Sequence, residues 1–353
     1  MTIKELLLEG EKKLSGLSSR VLDCEVLLGF VLGFSRERML GDFFYEPDPF
    51  DQELYFRYVE QVRVGKPVAY ITNSKEFYAM DFYVDERVLI PRPETEMIVD
   101  EVLEYLRAGK FGGVVPGGVC VNGGSSGDVA NGFSSGVDGA NGGQRADALM
   151  LDIGTGSFNI PAAVMGNFEN VFVHAVDISE DALEVARINR DYHAMETRSE
   201  IYQSDLLSNV EELRFDVVTA NLPYVGEGQG LEENVRKYEP ASALFGGASG
   251  SVGGESGGGL DVGSGAEFGE GFGDGLNDGL GLYKKLIQQI IDNRLDFGLF
   301  VGEFGYGQKD AILELLNKNF VQCEKGVFGG ACYEISIKND LASIPRIFVV
   351  RKV

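Results

Sequence analysis

The 353-residue chain has no tryptophan, two histidines (His174, His193) and four widely separated cysteines (Cys24, Cys120, Cys323, Cys332). Without a CxxC or HExxH spacing no ligand set for zinc is present, and no metal is expected. The same scarcity leaves no disulfide framework and no Ser-His-Asp constellation, and the cysteine usage fits a reducing compartment. Positive charge is also short, with 31 Lys and Arg against 55 Asp and Glu and a formal net charge of −24. Nucleic-acid backbones are gripped mostly by Lys and Arg, so this balance argues against a phosphate-backbone binder. It suits a small cationic ligand or a basic partner better. Long apolar runs are missing too: Val26 to Phe34 is the longest, far short of the roughly 20 residues that cross a bilayer. The start, Met1-Thr-Ile-Lys-Glu5, has no apolar stretch of the signal-peptide kind, so a cytoplasmic chain is expected.

What is present suffices for a folded core, since 44% of residues are hydrophobic, and the length suggests two domains. Residues 1–72 read as helical. Ile3, Leu6, Leu7 and Leu14 form one apolar stripe, Val26, Leu27, Phe30 and Val31 a second, and Leu54, Tyr55, Tyr58, Val59 and Val62 a third. Gly65-Lys66-Pro67 stops the pattern. From Glu76 to Leu89 the period changes to two (Phe77, Met80, Phe82, Val84, Val88), which predicts a hairpin linking two domains over residues 73–90. Two tracts, about 111–144 and 245–281, are dominated by glycine and cannot bury enough apolar surface to offset backbone ordering. They read as surface insertions.

With those tracts set aside, residues 91–353 alternate between strand and helix. Strands are predicted at Ala148–Asp152, Val171–Asp177, Glu200–Gln203, Phe215–Ala220, Phe297–Glu303, Tyr333–Ile337 and Arg346–Val350, with helices at Met97–Leu106, Ser179–Asn189, Leu282–Ile291 and Asp310–Asn317. The fold class is α/β: a mostly parallel, seven-stranded, Rossmann-like sheet behind a small helical domain. In such sheets ligands lie beyond the carboxyl ends of the strands, near the switch in strand order.

Asp152-Ile-Gly154-Thr-Gly156-Ser157 follows a strand and opens a helix, the setting of a glycine loop that lets backbone approach a nucleotide-like ligand. Asp177 ends the next strand, where a carboxylate can accept both ribose hydroxyls. The loop lacks the third glycine of the dinucleotide fingerprint, which favours a ligand without a pyrophosphate, such as S-adenosylmethionine. Asn221-Leu-Pro-Tyr224 ends the fourth strand. An amide nitrogen is a poor nucleophile, so a site that methylates one must hold the NH₂ with acceptors and aim its lone pair at the donor. The Asn221 side-chain oxygen and Leu222 carbonyl are two such acceptors, Pro223 stiffens the turn, and Tyr224 can stack on a planar group. His174 reads as a strand core residue, His193 as helix surface, and Gly302-Glu303 as pocket wall.

Four stretches in order resemble the HemK-like (PrmC) release-factor glutamine methyltransferases: Gly65-Lys-Pro-Val-Ala-Tyr-Ile71, Leu89-Ile-Pro-Arg-Pro-Glu-Thr-Glu96, Leu151-Asp-Ile-Gly-Thr-Gly156, and Asn221-Leu-Pro-Tyr224 with Tyr238-Glu-Pro-Ala-Ser-Ala-Leu-Phe-Gly246. The resemblance implies methyl transfer from S-adenosylmethionine to the N5 amide of the glutamine in the Gly-Gly-Gln motif of class 1 release factors. It implies that Gly154, Thr155, Gly156, Ser157 and Phe158 cradle the methionine end of the cofactor, that Asp177 holds the ribose, and that Asp205 and Leu206 border the adenine. Asn221, Leu222, Pro223 and Tyr224 would bind the glutamine, with Asn221, Pro223 and Tyr224 carrying the chemistry and Asn221 also bordering the cofactor. Glu94 and Glu96 would border the same pocket.

Three residues depart from the family pattern: Phe158 where glycine is usual, Leu206 where an aromatic is common, and Leu222 for the first proline of N-P-P-Y. The turn also resembles that of adenine N6-methyltransferases acting on ribosomal RNA or DNA, and the departures leave a non-catalytic methyltransferase-like binding protein as a third reading. No membrane or nucleic-acid partner is expected, and a monomer is. In the first glycine-rich tract, Gly142-Gly143-Gln144 repeats the substrate tripeptide, as chance in such a composition would produce, the alternative being self-methylation or self-inhibition at Gln144.

Overall fold

The computed structural model describes residues 1–109, 148–212, 214–226, 233–246, 278–321 and 332–353. Five helices come first: α1 (Ile3–Lys13), α2 (Arg20–Leu32), α3 (Arg36–Gly41), α4 (Pro49–Arg63) and α5 (Val68–Thr72). The strands β1 (Lys75–Phe77) and β2 (Met80–Phe82) follow, then α6 (Glu96–Arg107), β3 (Ala148–Ile153), α7 (Asn159–Asn167), β4 (Val171–Asp177) and α8 (Glu180–Tyr192). Next are β5 (Ser199–Gln203), β6 (Arg214–Ala220), α9 (Glu233–Tyr238) and α10 (Ala241–Leu244). The order ends with α11 (Gly281–Asp292), β7 (Asp296–Glu303), α12 (Lys309–Leu316), β8 (Tyr333–Asn339) and β9 (Pro345–Lys352).

The chain divides into two compact units, Met1–Arg92 with Gly228–Leu244, and Pro93–Glu227 with Phe245–Val353. In the first, local chemistry sets the helix starts. Thr2 and Glu5 form a reciprocal capping box on α1, Ser35 caps α3, and Asp48 caps α4 with Pro49 in its first turn. Gly33, at φ +63°, ends α2. The apolar stripes meet in a core of Leu6, Leu27, Leu28, Tyr55 and Val59. The short α3 has too few residues to show a stripe, and the sequence reading passes over it. The hairpin is shorter than its period-two pattern. Beyond Phe82 the alternation is carried by loop side chains, with Val84 and Val88 buried around a turn in which Asp85 accepts from the Arg87 amide. Helices α9 and α10 also belong to this unit.

The second unit is a seven-stranded sheet of order β5-β4-β3-β6-β7-β9-β8, parallel from β5 to β7 and antiparallel for the last two strands. The fold class read from the sequence is the one observed, with element ends shifted by a few residues. One core cluster joins sheet residues such as Leu151, Val218, Phe300 and Phe348 to Tyr283, Leu286 and Ile290 of α11. The second glycine-rich tract begins later and ends earlier than its composition suggests: Phe245 bridges to Val225, and Leu280 is fully buried. Gly246 and Gly279 stand close enough that a Cβ on Gly246 would strike the Gly279 backbone, so the chain returns to where it left.

Candidate functional site

Strand register alone assembles the site. Ile153 of β3 pairs with Val176 of β4 and Ala220 of β6, and Ala220 pairs with Gly302 of β7. The residues one step on, Gly154, Asp177, Asn221 and Glu303, therefore emerge side by side at the carboxyl edge. The neighbours β3 and β6 mark the switch in strand order, where ligands of such sheets bind.

The glycine loop is held by backbone and by acids. Gly154 N and Thr155 N donate to Val176 O at 2.8 and 3.0 Å, and Phe158 N donates to Thr155 O at 2.9 Å. Gly156 N donates to Asp177 Oδ2 at 3.0 Å, while Ser179 N donates to Asp177 Oδ1 at 3.0 Å. Burial raises the Asp177 carboxyl, and those amides oppose the rise. Asn189 of α8, fully buried, donates to Ser157 O at 2.8 Å. Gly154 and Gly156 have φ of +72° and +53°, and so does a bulky residue: Phe158, at +67°, whose ring is fully buried. Under the loop, Asp152 accepts from Thr219 Oγ1 at 2.6 Å, joining β3 to β6. Its carboxyl is pushed up to about 6 by burial, although Thr219 and Thr155 favour the charged form. Asp152 Oδ2 and Thr155 Oγ1 are buried with no hydrogen-bond partner of good geometry.

The polar turn after β6 is held by side chains from distant segments. Asn221 Nδ2 donates to Thr95 Oγ1 at 3.1 Å, and Thr95 Oγ1 donates to Glu303 Oε2 at 2.6 Å. Tyr224 OH donates to Glu303 Oε1 at 3.0 Å. Glu303 is 2% exposed; burial raises its carboxyl and the two hydroxyl donors pull it back. Gln308 Nε2 donates to Tyr224 O at 2.8 Å and to Asp278 O at 2.6 Å, while its Oε1 accepts from Gly305 N at 2.7 Å. The Tyr283 hydroxyl lies 3.0 Å from Ala220 O and 2.6 Å from Glu303 O, bracing the ends of β6 and β7. The two parts of the site touch: a Cβ on Gly154 would meet Leu222 Cδ2 at 3.1 Å.

In the first unit, two of the motifs singled out from the sequence meet each other. Arg92 of the proline-rich stretch donates to Glu239 Oε1 at 2.5 Å, and Ile90 N donates to Glu239 Oε2 at 3.4 Å. The Glu239 side chain is 2% exposed, so this ion pair neutralises a charge that would otherwise be buried alone.

The PrmC N-terminal domain family matches residues 5–72, and the methyltransferase small domain family matches residues 143–238. A release factor glutamine methyltransferase of Koribacter versatilis is 30% identical over 94% of this chain and 91% of its own length. The protein of that name from Chlorobaculum tepidum is 35% identical over 63% of this chain and 67% of its own. That from Clostridium botulinum is 26% identical over the full length of both. The chain belongs to the release factor glutamine methyltransferase family.

A methyltransferase of this family takes S-adenosylmethionine, and the site fits it. A Cβ on Gly156 would meet nothing within 4 Å, so open space lies over the loop. Asp177, bonded to the Gly156 amide, supplies negative charge beside that space, where a sulfonium and an ammonium would be favoured. Among the described residues no cluster of His, Cys, Asp and Glu could hold a metal, and no helix is long and apolar enough to cross a membrane.

The structure brings Gly154 to Phe158, Asp177 and Asn221 to Tyr224 together at one edge. All three family departures turn inward: the Phe158 ring and the Leu206 and Leu222 side chains are buried. Leu206 has φ +54°, with Ser204 Oγ donating to its carbonyl at 2.7 Å. The Asp205 carboxylate pairs with Lys285 at 2.6 Å. His174 is half-buried among Phe172, Tyr202 and Phe215, as a pleat residue would be. Sequence reasoning missed Thr95, Gln308, Asn189 and the anchoring role of Glu303. A Glu-x-Gly-x-x-Gln run just past a strand end, at 303–308, was the available signal. Gln144 lies outside the described residues.

Proposed function

We propose that this chain transfers a methyl group from S-adenosylmethionine to the N5 side-chain nitrogen of the glutamine in the Gly-Gly-Gln motif of class 1 peptide chain release factors. The observation that carries this reading is the orientation of the Asn221 carboxamide. Its nitrogen is engaged by Thr95, so its oxygen is the atom left to accept from a substrate NH₂. The cofactor supplies a sulfonium-bound, electrophilic methyl group. Asn221 Oδ1 and the Leu222 carbonyl accept the two N–H bonds of the glutamine amide, which keeps its nitrogen lone pair directed at that methyl. Pro223 limits the turn's freedom. The Tyr224 ring, with its hydroxyl committed to Glu303 and its carbonyl to Gln308, is a fixed wall for the amide plane. No general base is needed, because the proton leaves to water after the new N–C bond has formed.

Asp177 takes the ribose hydroxyls, the 154–158 loop the methionine end, and Asp205 and Leu206 the adenine side. Residues 1–72 recognise the release factor, 73–90 form the linker, and 91–353 carry the catalysis. The enzyme works in the cytoplasm as a monomer, without a nucleic-acid partner. The test is incubation with labelled S-adenosylmethionine and a release factor, alongside a variant whose tripeptide glutamine is replaced by alanine. Label on the glutamine-containing factor alone is expected. Equal labelling of both, or label only on added RNA or DNA, overturns the reading.

A further inference from the structure

The chain Asn221–Thr95–Glu303–Tyr224 contains more information than contact distances, because each member has a fixed stock of donors and acceptors. An ionised carboxylate only accepts. Glu303 offers one oxygen to Thr95 at 2.6 Å and the other to Tyr224 at 3.0 Å, so each hydroxyl spends its single proton there. Thr95 Oγ1 is then left with lone pairs only, and whatever approaches it from Asn221 must be a donor. That requirement decides which way the Asn221 carboxamide faces.

We infer that Glu303 is a positioning residue which, through Thr95, locks the Asn221 amide with its oxygen toward the substrate and, through the Tyr224 hydroxyl, fixes the adjoining ring. Reversing the carboxamide would set an NH₂ against the substrate NH₂, donor against donor, and no productive amide could bind. The inference rests on the role given to Asn221 above and extends it to two buried residues, Thr95 and Glu303. Nothing local in the sequence enforces this arrangement, since Thr95 lies 126 residues from Asn221 and 208 from Glu303.

The test uses the full-length protein with Thr95→Val, Thr95→Ser, Glu303→Gln and Glu303→Met. Glu303→Met removes both acceptors, freeing the Thr95 proton to turn to the Asn221 oxygen. Glu303→Gln keeps an acceptor toward Thr95 in one of its two amide orientations. The expected order of kcat on a release factor is wild type above Glu303→Gln above Glu303→Met, with Glu303→Met and Thr95→Val lowered about 10–100-fold by loosened orientation. S-adenosylmethionine affinity should stay within about threefold, Thr95→Ser should recover most of the Thr95→Val loss, and adding Thr95→Val to Glu303→Met should cost little more. Glu303→Met within about threefold of wild type, multiplying losses, or no recovery by serine overturns the inference.

Selective ¹⁵N labelling of asparagine gives a readout independent of turnover. The Asn221 NH₂ signal, assigned by its loss in Asn221→Ala, should show one hydrogen-bonded proton that loses its shift in Thr95→Val and Glu303→Met. An unchanged signal also overturns the inference. If the wild type fails to methylate any release factor, the functional reading falls while this arm still decides the amide orientation.

Discussion

The glycine loop after β3 and the polar turn after β6 leave paired positions of adjacent strands, yet they are held by different means. Backbone groups fix most of the loop, with Gly154 and Thr155 hanging on one carbonyl, Val176 O, and with Asp177 and Asn189 as its side-chain partners. Three side chains from two remote segments, Thr95 and the pair Glu303 and Gln308, fix the turn. A framework of backbone bonds tolerates side-chain replacement, and the loop holds a phenylalanine where the family favours glycine. A framework of side chains has no such slack. The departure Leu222 falls on the one turn residue whose proposed contribution is a backbone carbonyl.

This contrast predicts that damage at the turn strikes catalysis and damage at the loop strikes cofactor binding. Asn221→Ala should lower kcat about 10³-fold, since one preorganised polar contact to the reacting group is worth about 10²–10³ and its loss here also unfastens Thr95. Cofactor affinity should remain within about threefold by calorimetry. Asp177→Ala should do the reverse. It removes the acceptor for Gly156 N and Ser179 N together with the proposed ribose contact, so the Kd for S-adenosylmethionine should rise about 10–100-fold, roughly 1.4–2.8 kcal/mol, with kcat at saturation changed far less. Equal loss of both functions in both variants would erase the distinction between loop and turn.

The loop was legible in the sequence because it is local: strand, Gly-x-Gly, helix, and an acid at the next strand end lie within 30 residues, 148 to 177. The turn was legible as a motif but its support was not. Thr95 passes as one residue of a proline-rich stretch, and Glu303 as an acid at a strand end, until the fold closes a gap of 208 residues. The same holds for Arg92 and Glu239, separately visible as family signatures and 147 residues apart. Hydrophobic period and glycine placement report local backbone demands, whereas a buried hydrogen-bond chain is fixed only by register and crossover.

Phe158 sharpens the comparison, because two effects oppose each other there. Its left-handed backbone costs about 1–2 kcal/mol relative to an unstrained residue. Its fully buried ring contributes about 3–5 kcal/mol, the usual cost of emptying such a site. Restoring the family glycine with Phe158→Gly should therefore destabilise by about 1–4 kcal/mol and lower Tm, despite relieving the strain. A higher Tm in thermal unfolding would mean that the backbone term outweighs packing and that the loop tolerates the ring only at a loss.

The smallest effect separates the two buried acids that underlie the site. Glu303 accepts two hydroxyl protons, whereas Asp152 accepts one, from Thr219, and keeps a bare oxygen. Burial lifts the Asp152 carboxyl from 3.8 to about 6. The folded chain thus holds that proton more tightly than the unfolded chain does, and the associated stability is present below pH 4 and surrendered as pH rises toward 6, by up to about 3 kcal/mol. Asp152→Asn keeps an acceptor for Thr219 and has no proton to lose. In denaturant unfolding at pH 4, 5, 6 and 7, its stability relative to wild type should climb across pH 4–6 and then level off. A flat difference would show that the bare oxygen finds a partner in solution and that the two acids are equally well satisfied.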